Sequence, residues 1–171
     1  IIPPLNMGWF NRTKTGHFTI YNQLASELAQ VLNVDPWFLI SLFYTCDNLS
    51  FLDPKNDVIK KTLIPIASTL LNEIEQKYKQ YNIEQKPFIV IKADTGTYGM
   101  AVMMIESVEQ LANLTRKQKF KMSMGKGKQV VSRVIIQEGI PTIEQVNDFS
   151  AEPVIYSVGE NVVGGFYRFH K

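Results

Sequence analysis

The chain has 171 residues, of which 45% are hydrophobic and 20% are charged, and its formal net charge is +2. This composition is typical of an ordinary globular protein with a core of normal size. A net charge so close to zero excludes a strongly polybasic surface and argues against nucleic acid as a partner. The single cysteine, Cys46, cannot form an internal disulfide, which fits a reducing compartment such as the cytoplasm.

No apolar run reaches the ~20 residues that are needed to cross a bilayer, and no signal-peptide pattern is present. We therefore expect no membrane as a partner. The chain begins with Ile1 and stops at Lys171, directly after a strand-like apolar segment. Because a domain seldom ends on such a strand, we expect the chain to be part of a longer protein.

The first half of the chain is predicted to be helical. Apolar residues recur at helical spacing over residues 19–32. Asp35 and Pro36 suit the N-cap and first position of a second, largely apolar helix that runs to Cys46. A third helix is predicted over residues 57–83, and Pro65 is expected to kink or restart it.

The second half changes to a strand pattern. Residues rich in Val, Ile, Phe and Tyr predict strands at 88–92, 100–105, 130–137 and 153–169, the last folded as a hairpin at Gly159-Glu160. A helix is predicted over residues 107–124, where Ser107 and Gln110 have capping-box spacing. The order predicts an α+β fold. A helical N-terminal part, residues 1–86, precedes a mostly antiparallel sheet with a flanking helix, residues 87–171.

The segment FIVIKADTGTYGM, residues 88–100, combines a buried strand with a loop suited to phosphate. The strand ends on Lys92, and the loop contains Gly96 and Gly99, which permit backbone angles closed to other residues. Successive N–H groups in such a loop form a concave anion site beside the lysine. A P-loop is excluded, because there the lysine follows the glycines. The alternative is a β-hairpin whose lysine pairs with Asp94 or with solvent.

A second candidate segment is VIIQEGI, an apolar strand that ends in Gln137, Glu138, Gly139 and Ile140. A strand edge offers a backbone donor and acceptor to a nucleotide base, and Glu138 can accept from a ribose hydroxyl or an amino group. The alternative is an ordinary strand followed by a turn.

Arg168 lies near the end of the terminal hairpin. An arginine in this position can neutralise the charge that develops on a transferred phosphoryl group, and the alternative is a surface arginine. Near the start of the chain, Arg12, Lys14 and His17 can bind a substrate carboxylate or form a solvated start to the first helix.

Together these stretches resemble the central part of an ATP-grasp ligase. The segments PFIVIKADTGTYGMAVM, NLTRKQKFKM, VIIQEGI and AEPVIYSVGENVVGGFYRFH are similar to the proteobacterial, ATP-grasp-type glutamate–cysteine ligase family. The upstream segments IIPPLNMGWFNRTKTGHFTIYNQLA and DPWFLI are similar to that family as well. The resemblance therefore spans nearly the whole chain.

The resemblance implies an ATP-dependent ligase that joins the γ-carboxylate of L-glutamate to L-cysteine through an acyl phosphate, the first step of glutathione synthesis. It implies that Lys92 holds the phosphates and that a loop closes over them. The implied loop residues are Thr95, Gly96, Thr97, Tyr98 and Gly99.

The resemblance also implies that Gln137 to Ile140 read adenine and ribose, and that Arg168 faces the transferred phosphoryl group. It implies Mg²⁺ ligands beyond Lys171, so we expect no metal ligand within this chain and little activity from it alone. Many ATP-grasp enzymes have a basic residue where Glu152 stands, which puts the phosphate contacts there in doubt.

Three other interpretations stay open at this point. The chain can belong to another ATP-grasp carboxylate–amine ligase, to a nucleotide-binding module without catalysis, or to a purely structural α+β domain.

Overall fold

In a computed structural model of the chain, the structure describes residues 6, 12–53, 58–96, 99–125 and 129–169. Contacts divide the chain into two compact units, Ile1–Gly139 and Ile140–Lys171. The helices of the first unit are α1 (Lys14–Leu32), α2 (Ile64–Gln80), α3 (Val108–Ala112) and α4 (Arg116–Ser123). Its strands are β1 (Phe43–Cys46), β2 (Ile89–Ala93), β3 (Val102–Ile105) and β4 (Val134–Glu138).

The first helix begins five residues earlier than the apolar pattern predicts. Thr13 is its N-cap, because its side-chain oxygen accepts a hydrogen bond from the backbone N–H of Gly16. The helix ends at Asn33, which adopts the left-handed conformation with φ 53°. Its apolar stripe is largely exposed, and Leu24 for example is 59% exposed.

The predicted second helix is wrong. Asp35 does cap a helical turn, and its carboxylate accepts from the Trp37 N–H, but that turn is a 3-10 turn of three residues, Pro36–Phe38. The chain then extends into β1, which pairs antiparallel with β4. The aromatic and β-branched residues of β1 suit a strand, and the pairing with β4 outweighs the helical pattern of the local sequence.

The third helix changes its hydrogen-bond pattern next to Pro65. A π-helical turn, Ile59–Leu63, precedes α2, and the N–H of Ile64 bonds to the carbonyl of Ile59. Since proline has no N–H to donate, a change of hydrogen-bond pattern beside it is expected, and the backbone stays helical through Leu63 and Ile64.

The helix predicted over residues 107–124 is interrupted. α3 ends at the C-cap Asn113, and α4 begins after Thr115. The capping box is formed by Thr115 and Gln118, and not by Ser107 and Gln110 as predicted. The side chain of Gln110 instead accepts from the N–H of Glu106.

The four strands of the first unit form one antiparallel sheet in the order β1-β4-β2-β3. One face packs on α2, and the core there includes Ile89, Ile91 and Ile136, which are fully buried. Because side chains alternate along a strand, Val90 and Lys92 lie on the opposite face. β1 thus joins the sheet from the half that was predicted to be helical. The predicted boundary between residues 86 and 87 does not coincide with the division into compact units.

The second unit is a separate three-stranded antiparallel sheet. Its strands, in the order β5-β6-β7, are β5 (Gln145–Val146), β6 (Phe149–Val158) and β7 (Asn161–Phe169). The predicted hairpin is present, and Gly159 in its turn has φ 59°. A Cβ on Gly165 would lie 2.8 Å from the carbonyl oxygen of Val154, so the opposite strand accounts for this glycine.

The architecture is thus a mixed α/β fold with antiparallel sheets, as the sequence predicts. None of the helices within the described ranges is long and apolar enough to cross a membrane.

Leu70 tests the packing of α2 on the sheet. The side chain is fully buried in the core, so Leu70→Ala should lower the free energy of unfolding by about 2–5 kcal/mol. The matched control is Leu28→Ala, since Leu28 on α1 is half exposed, and we expect a change of about 0.5 kcal/mol or less. Urea unfolding measures both, and equal losses would contradict this assignment of the core.

Candidate functional site

Lys92 and Gln137 meet on the sheet face opposite α2. The ammonium of Lys92 donates a hydrogen bond of 2.9 Å to the side-chain oxygen of Gln137. The amide nitrogen of Gln137 donates in turn to the hydroxyl of Ser41, at 2.6 Å. Gln137 is only 5% exposed, so its orientation is fixed by these two contacts. The structure therefore brings together two residues that the sequence placed in separate candidate segments.

The side chain of Lys92 is partly buried. Burial lowers its pKa, and the neighbouring positive charge of Lys14 lowers it further. Among the described residues, the ion pairs of the structure do not include Lys92. β2 and β3 do form the antiparallel pair of the hairpin alternative, but the contacts described for the Asp94 side chain are with Thr15 and Arg133 and not with Lys92. A desolvated ammonium without a carboxylate partner is suited to binding an anion.

Lys14 is a second cation at the same loop, and sequence reasoning did not place it there. Its ammonium donates to the carbonyl of Ala93 at 2.6 Å and to that of Gly96 at 3.1 Å. Burial lowers the pKa of Lys14, while the charge of Asp94 raises it. The basic segment around Lys14 was the only signal for this role, and the sequence alone does not show that the start of α1 lies against the loop after β2.

Asp94 joins the loop to the start of α1. One carboxylate oxygen accepts from the N–H of Thr15 at 2.8 Å and from the Thr15 hydroxyl at 2.7 Å. The other oxygen lies 3.2 Å from Nε of Arg133 in an ion pair, although it lacks the alignment of a hydrogen bond. The backbone carbonyl of Asp94 accepts from the N–H of Lys14 at 2.9 Å. With 1% exposure, the side chain is completely enclosed.

The loop after β2 has the backbone conformation for which its glycines were singled out. Gly96 has φ 89° and Gly99 has φ 66°, both in the region that favours glycine. The N–H of Ala93 bonds to the carbonyl of Ala101 and closes the base of the loop. Thr95 is exposed, and Thr97 and Tyr98 lie outside the described residues.

Glu138 does not face the same side as Lys92. Strand alternation turns its carboxylate toward Trp37, whose indole N–H donates to it at 3.0 Å. Burial raises the pKa of Glu138, and the hydrogen bond from Trp37 partly opposes that increase. The structure therefore does not bring the carboxylate of Glu138 to the site of Lys92, and its predicted contact with a ribose hydroxyl stays a prediction.

Gly139 is held directly against an aromatic ring. A Cβ at this position would lie 2.1 Å from the ring of Phe88, and the N–H of Gly139 bonds to the Phe88 carbonyl at 2.9 Å. Only glycine fits at the end of β4 without moving that ring. Ile140, the next residue, begins the second compact unit.

A polar cluster around Asp35 supports the side of β4 that carries Glu138. The carboxylate of Asp35 accepts hydrogen bonds from Lys77 and Tyr81 of the α2 region and from the N–H of Trp37. These bonds lower the pKa of Asp35 to about 2. The ring of Tyr81 stacks on that of Trp37 with centroids 5.5 Å apart. Trp37 is thereby held in place to bond Glu138.

Arg168 lies in the second unit and is paired with Glu152. Their side chains are 2.6 Å apart, on residues that face each other across β6 and β7. The contact raises the pKa of Arg168. Glu152, the residue that departs from the ATP-grasp pattern, is thus the partner of the predicted catalytic arginine. The phosphoryl-contacting role of Arg168 stays a prediction.

The part of the chain that the structure describes offers no group of three or more His, Cys, Asp or Glu side chains that could hold a metal ion. The described residues therefore do not fit a Mg²⁺ site of their own.

A family model described as glutamate–cysteine ligase matches residues 1–171. The chain therefore belongs to the glutamate–cysteine ligase family.

Among solved structures, the chain is similar to one from Methylobacillus flagellatus KT named "Putative gamma-glutamylcysteine synthetase". The two share 44% sequence identity with a TM-score of 0.78, over 95% of this chain and 38% of the other. This chain thus corresponds to well under half of the length of that relative. No protein with a curated description matches the chain.

Gly139→Ala should be destabilising because the added methyl group overlaps the ring of Phe88. We expect a loss of about 1–3 kcal/mol in the free energy of unfolding, as for other overpacked sites. In the Phe88→Ala background the same substitution should cost much less. Gly125→Ala is the matched control, since the nearest described atom, the carbonyl oxygen of Gln129, would lie 3.8 Å from its Cβ. Thermal or urea unfolding measures Gly139→Ala, Phe88→Ala, the double variant and Gly125→Ala. Equal losses in Gly139→Ala and Gly125→Ala would contradict the contact with Phe88.

Asp35 should make stability depend on pH in acid. Its pKa is about 2 in the folded chain against 3.8 ordinarily, so the stabilisation is present above pH 4 and is lost as the pH falls towards 2. The stability difference between the wild type and Asp35→Asn should therefore shrink over this interval in urea unfolding. Tyr81→Phe removes one hydrogen-bond donor to Asp35. In the Tyr81→Phe background, the stability difference caused by Asp35→Asn should therefore change less with pH. A difference that stays constant with pH would refute the assignment.

Proposed function

We propose that the protein is an ATP-dependent glutamate–cysteine ligase with an ATP-grasp-like nucleotide site. Membership of the family supports the reaction, which joins the γ-carboxylate of L-glutamate to the amine of L-cysteine. The observation that carries the proposal is the meeting of Lys14 and Lys92 at one glycine-containing loop. Two partly buried ammonium groups without a shared carboxylate favour a polyanion such as the triphosphate of ATP.

The proposed reaction has two steps. A γ-carboxylate oxygen of glutamate attacks the terminal phosphorus of ATP, and ADP leaves with the electrons of the broken P–O bond. The amine of cysteine then attacks the acyl carbon and loses a proton, the bond from that carbon to the phosphate oxygen breaks, phosphate leaves with its electrons, and γ-glutamylcysteine is formed. Negative charge is redistributed over the phosphate oxygens in the first step, so cations fixed beforehand next to those oxygens accelerate it.

Each site residue has a proposed role in binding ATP. Lys92 contacts the phosphates, and its hydrogen bond to Gln137 aims the ammonium along the sheet. The loop residues Thr95, Gly96, Thr97, Tyr98 and Gly99 close over the phosphates. The segment from Gln137 to Ile140 contacts adenine through its backbone, and Arg168 approaches the transferred phosphoryl group.

Mg²⁺ is proposed as the second cofactor on the basis of the family. When bound, it neutralises phosphate charge. Since the described residues offer no ligand set for it, none of the roles proposed for this chain depends on coordinating the metal.

Lys92→Met tests the site in the full-length protein. Removal of the ammonium should reduce ATP-dependent formation of γ-glutamylcysteine about 10²–10³-fold, by loss of phosphate stabilisation. ADP release and mass spectrometry of the product measure the effect. Lys86→Met is the control, because Lys86 is an exposed lysine in the connection before β2, and its activity should equal that of the wild type.

Two outcomes would overturn the proposal. One is full activity of Lys92→Met. The other is ADP release that does not require glutamate and cysteine together in a panel of amino acids, which would indicate another ligase or a module without this reaction.

A further inference from the structure

We propose that Asp94 is a positioning residue that ties the start of α1 to the glycine loop and thereby holds the ammonium of Lys14 beside Lys92. This inference rests on the proposed function, since it assigns a purpose to the enclosed carboxylate within the ATP site. Asp94 itself is not proposed to touch the nucleotide.

The geometry of Asp94 makes it a connection between two elements. It follows β2 directly, while both groups that donate to its Oδ1 belong to Thr15, on the first turn of α1. The backbone bond from Lys14 N–H to Asp94 O runs beside these contacts. Three hydrogen bonds therefore join two consecutive residues of the helix start to one residue of the loop.

These bonds determine where the Lys14 ammonium lies. The backbone of Lys14 is bonded to Asp94, and the end of its side chain is bonded to Ala93 O and Gly96 O on either side of Asp94. Both the backbone and the ammonium of Lys14 are thus hydrogen-bonded to the same loop. If the start of α1 moved away from the loop, the ammonium would move with it.

The charge of Asp94 has a use that a neutral residue would not provide. Burial favours the neutral form of Lys14, and the Asp94 carboxylate opposes that effect by raising the pKa of Lys14. The same carboxylate lies at the N-terminal end of a long helix, where negative charge is favourable. Asp94 thus holds the start of α1 against the loop and opposes the fall in the pKa of Lys14.

Among the described residues, Arg133 is the other charged group that lies against Asp94. Its Nε lies 3.2 Å from Asp94 Oδ2 and 3.3 Å from Asp47 Oδ1. Its backbone carbonyl also accepts from the N–H of Asp94. Within the described ranges, the groups that act on the carboxylate are therefore Thr15, Lys14 and Arg133, and the charge of Lys14 in turn lowers the pKa of Lys92 at the end of β2.

The test measures the affinity of the full-length protein for a non-hydrolysable ATP analogue. Asp94→Asn and Thr15→Val should each weaken binding about tenfold, the usual consequence of losing a hydrogen bond to a charged group. Thr15→Ser keeps the hydroxyl and should bind as the wild type does. The double variant Asp94→Asn/Thr15→Val should be little weaker than either single variant, because both break the same connection.

Asp47→Asn is the matched control for the charge of Asp94. Asp47 is a more exposed carboxylate that pairs with the same arginine, and its loss should leave the affinity for the analogue unchanged. If the loss of affinity in Asp94→Asn came only from breaking the ion pair with Arg133, Asp47→Asn would weaken binding as well.

The dependence of analogue binding on pH distinguishes a role of Asp94 in positioning Lys14 from a role in folding only. Without Asp94, the pKa of Lys14 is no longer raised, so its ammonium is lost at a lower pH. Affinity for the analogue in Asp94→Asn should therefore begin to fall at a lower alkaline pH than in the wild type. A purely structural role would lower stability without moving this point.

Two results would overturn this inference without affecting the proposed function. One is a folded Asp94→Asn whose affinity for the analogue, and its dependence on alkaline pH, equal those of the wild type. The other is equal binding of the analogue by Thr15→Val and Thr15→Ser. The second comparison holds even if Asp94→Asn fails to fold. Wild-type affinity in Lys92→Met would instead refute the proposed nucleotide site, so the two failures are distinguishable.

Discussion

The antiparallel pairing of β2 with β4 is the constraint from which the site follows. Its register sets Lys92 opposite Ile135 and Val90 opposite Gln137. Because facing residues in such a pair share one side of the sheet, Lys92 and Gln137 lie together. Their neighbours Ile91 and Ile136 lie on the other side, in the core beneath α2. A shift of the register by one residue would bury the lysine and expose the isoleucines.

The charged groups at the loop, Lys14, Lys92 and Asp94, have opposing effects on the pKa values of the two lysines. Burial lowers the pKa of both Lys14 and Lys92, and the charge of Lys14 lowers the pKa of Lys92 further, whereas the charge of Asp94 raises the pKa of Lys14. In the proposed function, an incoming triphosphate removes the repulsion between the two lysines. Lysines that form no ion pair with a carboxylate gain more attraction from an incoming anion than lysines that already do.

The other side of β4 has a different purpose. Glu138, Trp37 and the cluster around Asp35 form a continuous set of hydrogen bonds between the strand and α2. Gly139 follows at once, pressed against Phe88. The hydrogen bond from Trp37 to Glu138 and the contact between Gly139 and the ring of Phe88 thus hold the end of β4 in place. The first compact unit ends at this residue, Gly139.

Local patterns in the sequence were sufficient for β2, β4, the terminal hairpin and the glycine loop, because strand alternation and positive φ depend on neighbouring residues. They were also sufficient to single out Lys92 and Gln137. They failed for β1, since FYTC follows a helix-capping pair and becomes a strand only through its pairing with β4. The partners of Asp94, the presence of Lys14 at the loop and the contact between Trp37 and Glu138 were decided by tertiary structure alone. Each depends on contacts between residues about 80 to 100 positions apart, a separation at which no local spacing rule applies.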